Sequence, residues 1–235
     1  MKRTFTPSAP ESRAERARTT RQHLIATAID VVRTRSYGAA SLFEVAKAAG
    51  VTPGALQHHF GSRAVLMMEV LQTILQANDD AGPPWPDAAL ALPERAQRYV
   101  HALWSRVYEP PRFLAAWSVY FGAADEDALQ APIVGLRKQL AQSLRKRFTQ
   151  VFPESQAQPQ LQAFVNLLLS SLRGMGVARL FGADPAAESA QRQQLAAIIA
   201  GWCAAAARSP PLSDARRPVH GPRTSRPTAR LKDTR

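Results

Sequence analysis

Residues 41–63, SLFEVAKAAGVTPGALQHHFGSR, constrain the fold most, because they read as two short helices joined by a tight turn. Ser41 suits an N-cap, its hydroxyl accepting a backbone N–H, with Glu44 three positions on to complete a capping box. Leu42, Val45, Ala46 and Ala49 recur at helical spacing and make one apolar stripe. Gly50 stands at the natural stop, where a left-handed conformation costs glycine little, and Val51 supplies the apolar contact just past it. Thr52 caps a second helix, and Pro53 suits its first position, where the N–H is unpaired anyway. Leu56 and Phe60 face inward, while Gln57, His58 and His59 include outward positions. Capped helix, glycine turn and capped helix make a helix-turn-helix, the unit that sets its second helix in the major groove of DNA.

A capping box and a glycine stop are common when taken singly. Here they sit within a longer spaced pattern: Thr20-Arg21, Ala26, Ala28, Ser36-Tyr37-Gly38, Ser41-Leu42 and Val45-Ala46. Ala49-Gly50-Val51-Thr52, Gly54-Ala55-Leu56, His59-Phe60, Ser62-Arg63 and Leu66 continue it. This quarter of the chain, residues 18–70, resembles the amino-terminal domain of tetracycline-repressor-like (TetR) regulators. Three positions depart from the family: Ser36 stands where glycine is usual, Gln57 where tyrosine is usual and Arg63 where lysine is usual.

The resemblance and the capping pattern together mark Ser41, Phe43, Thr52, Pro53, Gly54, Ala55, Gln57, His58, His59 and Arg63 as the DNA-facing set. Ser41 and Thr52 lie at helix N-termini, where free N–H groups suit a phosphate oxygen. Pro53, Gly54 and Ala55 are small enough to let the helix approach base edges. Gln57 and His58 are the expected base readers, since glutamine pairs bidentately with adenine. Arg63 is the expected phosphate anchor, through its fork of donors. His59 either approaches the backbone or packs against the next helix, and Phe43 either meets a thymine methyl or covers the core. His58 and His59 are not a metal pair, because adjacent helical residues point about 100° apart.

Charge is distributed unevenly. The chain of 235 residues carries a net charge of +12. Residues 1–23 hold six Lys/Arg against two Glu, and residues 208–235 hold eight against two Asp, so the body between is nearly neutral. Basic arms raise affinity for any DNA by releasing counterions, without reading sequence. The plainer reading is that they are solvated and disordered. One cysteine, Cys203, excludes an internal disulfide and a cysteine metal cluster. No uncharged apolar run of about 18 residues occurs and the N-terminus lacks a secretory pattern, so the expectation is a cytoplasmic protein without a membrane span.

Periodicity and proline breaks predict an all-α protein. Residues 1–17 are expected to be a disordered basic arm and 18–78 the helix-turn-helix domain, its first helix running from about Thr19 to Arg35 and closing a small three-helix core. Residues 63–80 form the fourth helix. Ala81-Gly82-Pro83-Pro84-Trp85-Pro86 then breaks the chain. Residues 87–207 are expected to be a helical ligand-binding and dimerisation domain, and 208–235, with five prolines, a disordered basic tail.

Two faces on the last helices suit a dimer: Leu161, Phe164, Val165, Leu168, Leu169 and Leu172, and Leu195, Ile198, Ile199 and Trp202. Gly174, Gly176 and Gly201 permit close approach; the alternative is intramolecular core. The resemblance implies a homodimer on a palindromic double-stranded operator, released by a small-molecule effector whose identity the residues do not specify. Trp104, Tyr108, Phe113, Trp117, Tyr120 and Phe121 are the candidate effector pocket, against the alternative of ordinary core. Arg106, Arg112 and Arg137 suit an acidic effector or a solvated face. No acid–base pair, nucleophile set, phosphate loop or metal spacing stands out, so neither an enzyme nor a cofactor is expected. The reading is a dimeric, sequence-specific transcriptional repressor. Its rivals are a nonspecific DNA-coating protein driven by the tails and a helical protein-interaction module.

Overall fold

A computed structural model describes residues 12–80 and 83–208, all helix and connecting loop among these residues. The order is α1 (Arg13–Arg35), α2 (Leu42–Ala49), α3 (Pro53–Phe60), α4 (Arg63–Asp80), α5 (Leu92–Leu103), α6 (Pro111–Gly122), α7 (Asp127–Val151), α8 (Leu161–Ala178) and α9 (Pro185–Arg208). Most of the basic arm and all but Arg208 of the basic tail lie outside the described residues.

Helix α1 starts at Arg13, so residues 12–17 are ordered structure and not part of an arm. The cause is a full capping box: the Ser12 hydroxyl accepts from the Glu15 N–H at 3.1 Å, and the Glu15 carboxylate accepts from the Ser12 N–H at 2.7 Å. The box expected at Ser41 is only half made. Ser41 accepts from the Glu44 N–H at 3.1 Å, but the Glu44 carboxylate pairs with Arg35 on α1.

The chain packs around two apolar clusters. The first takes Leu24, Ala28 and Val32 of α1, Val45 and Leu56 of the motif, and Leu66 and Leu71 of α4. It also takes Ala115, Ala116 and Val119 of α6, Ala123 just after it and Leu129 of α7, so the motif does not close on three helices alone. An eight-residue helix has too little apolar surface to hold itself, and α6 supplies the missing wall. The second cluster is aromatic. Tyr99, Phe148 and Phe152 meet edge to face or tilted at 4.8–5.5 Å, and Phe164 stacks on Trp202 at 4.1 Å. Helix α6 belongs to both clusters, since its Phe113 lies in the second.

One break was not foreseen. After α5 the chain widens into a π-turn over Trp104–Tyr108, closed by the Glu109 N–H donating to the Trp104 carbonyl at 2.9 Å. Helix α7 continues through Pro132, which lies in its second turn. Among the described residues, Leu161–Phe181 is one stretch long and apolar enough to cross a membrane by length and composition. Its Val165, Leu168 and Leu172 are buried in the second cluster, and it carries Arg173 and Arg179.

Candidate nucleic-acid interface and effector cavity

The turn between α2 and α3 is built as the residues dictate. Gly50 sits at φ 69° and ψ 27°, and the Val51 N–H donates back to the Ala46 carbonyl at 3.0 Å, which stops α2. Thr52 restarts the chain, its hydroxyl accepting from the Ala55 N–H at 3.2 Å. Leu56 and Phe60 go into the core. Thr52, Pro53, Gly54, Ala55, Gln57 and His58 remain exposed on the other side, and a Cβ at Gly54 would meet nothing. The start of α3 is therefore a narrow, unobstructed edge. His59 is half-buried. Gln57 donates its side-chain amide to the Gly61 carbonyl at 2.6 Å, so it caps its own helix and has one polar atom left to read with.

On α2, Phe43 is 61% exposed and does not cover the core; Ser41 is half-buried. Lys47, one turn after Phe43, is an exposed cation beside this edge that the motif pattern alone does not single out.

Arg63 is corrected. Its guanidinium does not face the α3 edge but the α1–α2 loop: Nε donates to the Ala40 carbonyl at 3.0 Å and Nη2 to the Tyr37 carbonyl at 2.7 Å. Nη1 donates to the Glu126 carboxylate at 2.7 Å, and the group lies 3.9 Å over the Tyr37 ring. The loop carbonyls need donors, and a planar fork at the start of α4 satisfies both.

Glu126 also accepts from the Tyr37 hydroxyl at 2.6 Å, while the Tyr37 N–H donates to the Ser118 hydroxyl at 3.1 Å. Burial, then the bond to Glu126, push the Tyr37 phenol up to about 12. A Cβ on Gly122 would overlap the Tyr37 ring, so only glycine admits this seat on α6. Ser36, next to it, holds φ 103°, a conformation that favours the glycine usual in the family. A second arginine braces the far side. Arg21 grips Glu69 of α4 with two nitrogens, donates to the His59 carbonyl and lies 4.4 Å over the Phe60 ring.

A cavity of about 100 Å³ opens between α4, α6, α7 and α8. Four of the six aromatic candidates line it: Tyr108, Phe113, Trp117 and Tyr120. Trp104 does not, being core with its indole N–H unpaired, and Phe121 is 61% exposed on the surface. A second lobe of about 270 Å³ shares the walls Leu75, Val107, Leu140 and Leu144 and adds Gln72, Gln76, Trp85 and Gln139. Arg137 lines the first lobe, as does Arg173, which sequence reasoning missed because it follows a run of leucines on α8. Arg106 is not a ligand arginine: it is buried, donating to the Pro83 carbonyl at 2.7 and 3.0 Å and clamping the α4–α5 linker. Arg112 donates to the Arg106 carbonyl at 3.3 Å.

The expected dimer faces are largely internal. Val165, Leu168, Leu169, Leu172 and Ile199 are buried, and Gly176 lies close under the Phe113 ring. What α8 and α9 leave outside is Leu167 at 64% and Ile198 at 54% exposure, beside Gly174 and Gly201, where a Cβ would meet nothing.

Residues 24–70 match the family model described as bacterial regulatory proteins, tetR family. The chain is 26% identical over 104 residues to the HTH-type transcriptional regulator BetI of Rhizobium meliloti (strain 1021). That match covers 44% of this chain and 51% of the relative, so the chain spans about half the length of the curated relative it matches. A tetR-family regulator from Streptomyces coelicolor superposes with a TM-score of 0.62 at 22% identity, covering 81% of this chain and 82% of that one. A transcriptional regulator from Saccharomonospora viridis, solved in complex with choline, gives 0.58 at 17% identity, covering 77% and 96%. These structural likenesses concern the fold, an amino-terminal helix-turn-helix domain joined to a helical carboxy-terminal part.

Proposed function

From a chain that belongs, through residues 24–70, to the tetR family of bacterial transcriptional regulators, we propose a cytoplasmic, homodimeric repressor that binds a palindromic operator and leaves it when a small molecule fills the cavity. One observation carries this reading: the helix whose start seats the motif also ends as a cavity wall. Arg63 at the head of α4 holds the α1–α2 loop, and Ile74 and Leu75 near its tail line the cavity.

On the DNA side, Thr52, Pro53, Gly54, Ala55 and His58 are the groove-facing edge, with Gln57 reading through its free oxygen and Phe43 and Ser41 flanking. Lys47 replaces Arg63 as the phosphate contact. One such edge buries too little for a selective site, so two copies are needed about one helical turn apart, roughly 34 Å. The Leu167, Gly174, Ile198 and Gly201 face supplies the two-fold contact, since small residues let helices approach and an uncovered apolar face favours burial.

The lobe of about 100 Å³ against α6 is small beside the roughly 300–1,000 Å³ of common ligand sites, so a ligand reaching into it presses on its walls. Two walls, α4 and α6, hold the motif. A ligand that prefers the widened arrangement lowers DNA affinity by that preference and no more. The neighbour solved with choline supports reading the cavity as an effector site. Selection of bound sites from genomic DNA tests the proposal: one palindromic consensus is expected, and salt-sensitive binding without sequence preference would replace it with nonspecific coating.

A further inference from the structure

We propose that the cavity takes a small amphipathic anion, an aromatic or aliphatic body bearing one carboxylate, with Arg137 and Arg173 receiving the charge. This rests on the cavity being the effector site.

The body of the ligand is specified by the rings. Phe113, Trp117 and Tyr120 meet edge to face in sequence, at 6.2 Å and 68° and then at 5.4 Å and 79°, leaving an apolar slot against Leu144 and Leu169. The charge is specified by what lines the slot. Its only ionisable groups besides two phenols are Arg137 and Arg173, and no Asp or Glu lines either lobe among the described residues. Neither arginine has a carboxylate partner among the described residues; Arg173 donates to the Ser170 hydroxyl at 2.6 Å.

Three ligand charges can be compared. A cation meets two like charges, which oppose the pull of the Phe113, Trp117 and Tyr120 rings, and Tyr120 already faces the Arg137 guanidinium at 5.7 Å. A neutral apolar body covers two guanidiniums and returns nothing for the water they lose. A carboxylate covers the same surface and returns charge-assisted, bidentate hydrogen bonds. Burial raises the Tyr120 phenol, so it stays a neutral donor beside the bound anion.

The test uses the full chain and three probes of one shape: phenylacetate, phenylacetamide and phenethylammonium, titrated by calorimetry and tryptophan fluorescence, with octanoate as the aliphatic counterpart. Phenylacetate or octanoate is expected to bind about tenfold or more tighter than the amide, with no saturable binding of the cation. Arg137→Gln and Arg173→Gln should each bring carboxylate affinity towards that of the amide. Because Arg137 is exposed, its variant should keep the parental melting temperature. Amide or cation binding as tightly as the carboxylate overturns the proposal. So does a carboxylate preference that survives in the double variant, or no saturation by either carboxylate at millimolar concentration. No DNA enters this assay, so its failure leaves the operator selection standing, and failure of the selection leaves this result standing.

Discussion

The two apolar clusters hold opposite kinds of surface in place. The first is built mainly of aliphatic side chains, with Tyr37 and Phe60 among them, under the α3 edge, and reaches the cavity only at Ile74 and Ala116; the second holds most of the aromatic rings and forms much of the cavity wall. Small residues fill space between short helices closely, and close packing makes the edge above them stiff. Large flat rings leave gaps between them, and gaps admit a ligand. The difference teaches where movement can start. On the proposed function it starts in the aromatic half and reaches the other half through α4 and α6, which serve both.

Breaking the aromatic half should have the largest effect. Phe148 is fully buried among Tyr99, Phe152, Phe164 and Trp202, so Phe148→Ala should destabilise the fold by about 3–5 kcal/mol in chemical denaturation. Breaking the seat between the halves comes next. Arg63→Ala strands the Tyr37 and Ala40 carbonyls and Glu126, at about 2–3 kcal/mol, while the salt dependence of DNA binding stays parental. A flattened salt slope would restore Arg63 as a phosphate contact. Gly122→Ala pushes the Tyr37 ring off α6 and should cost about 1–3 kcal/mol.

Two finer measurements sharpen the comparison. The Tyr37 phenol, raised in the fold to about 12 from an ordinary 10.0, stabilises while protonated. That contribution is complete below pH 10 and is lost as pH rises to about 12. Tyr37→Phe should flatten the fall in melting temperature across that window. Ser36→Gly relieves the positive φ and should stabilise by about 1 kcal/mol, the one substitution here expected to improve the fold.

The motif was legible because its signals are local. Caps, a glycine stop and a proline at a first helical position act within four residues, and Ser41, Gly50, Thr52 and Pro53 stand as their types require. Ser36 was visible as a departure, and its positive φ shows what the departure costs. Arg63 was misread because its partners lie 23, 26 and 63 residues away, and no spacing rule reaches across that distance. The cavity was half legible for a related reason. Tyr108, Phe113, Trp117 and Tyr120 cluster in sequence, but Arg173 comes from α8 and meets them only in the folded chain. The choice between core and dimer face stayed open because both sides of α8 are apolar, and periodicity cannot tell which side is buried; Val165, Leu168 and Leu172 are core, while Ile198 of the α9 face is exposed.

The central proposal is that the cavity and the motif communicate through α4 and α6, whose holds on the motif meet where Tyr37 and Arg63 bind Glu126 in the loop before α7. A double-mutant cycle on operator affinity tests it most directly, combining Ala141→Phe, which fills the cavity, with Glu126→Gln, which loosens the seat. Melting temperatures confirm that each variant is folded. The account predicts that filling the cavity weakens operator binding in the parent and much less in the Glu126→Gln background, a coupling of about 1 kcal/mol or more. Effects that simply add would contradict it.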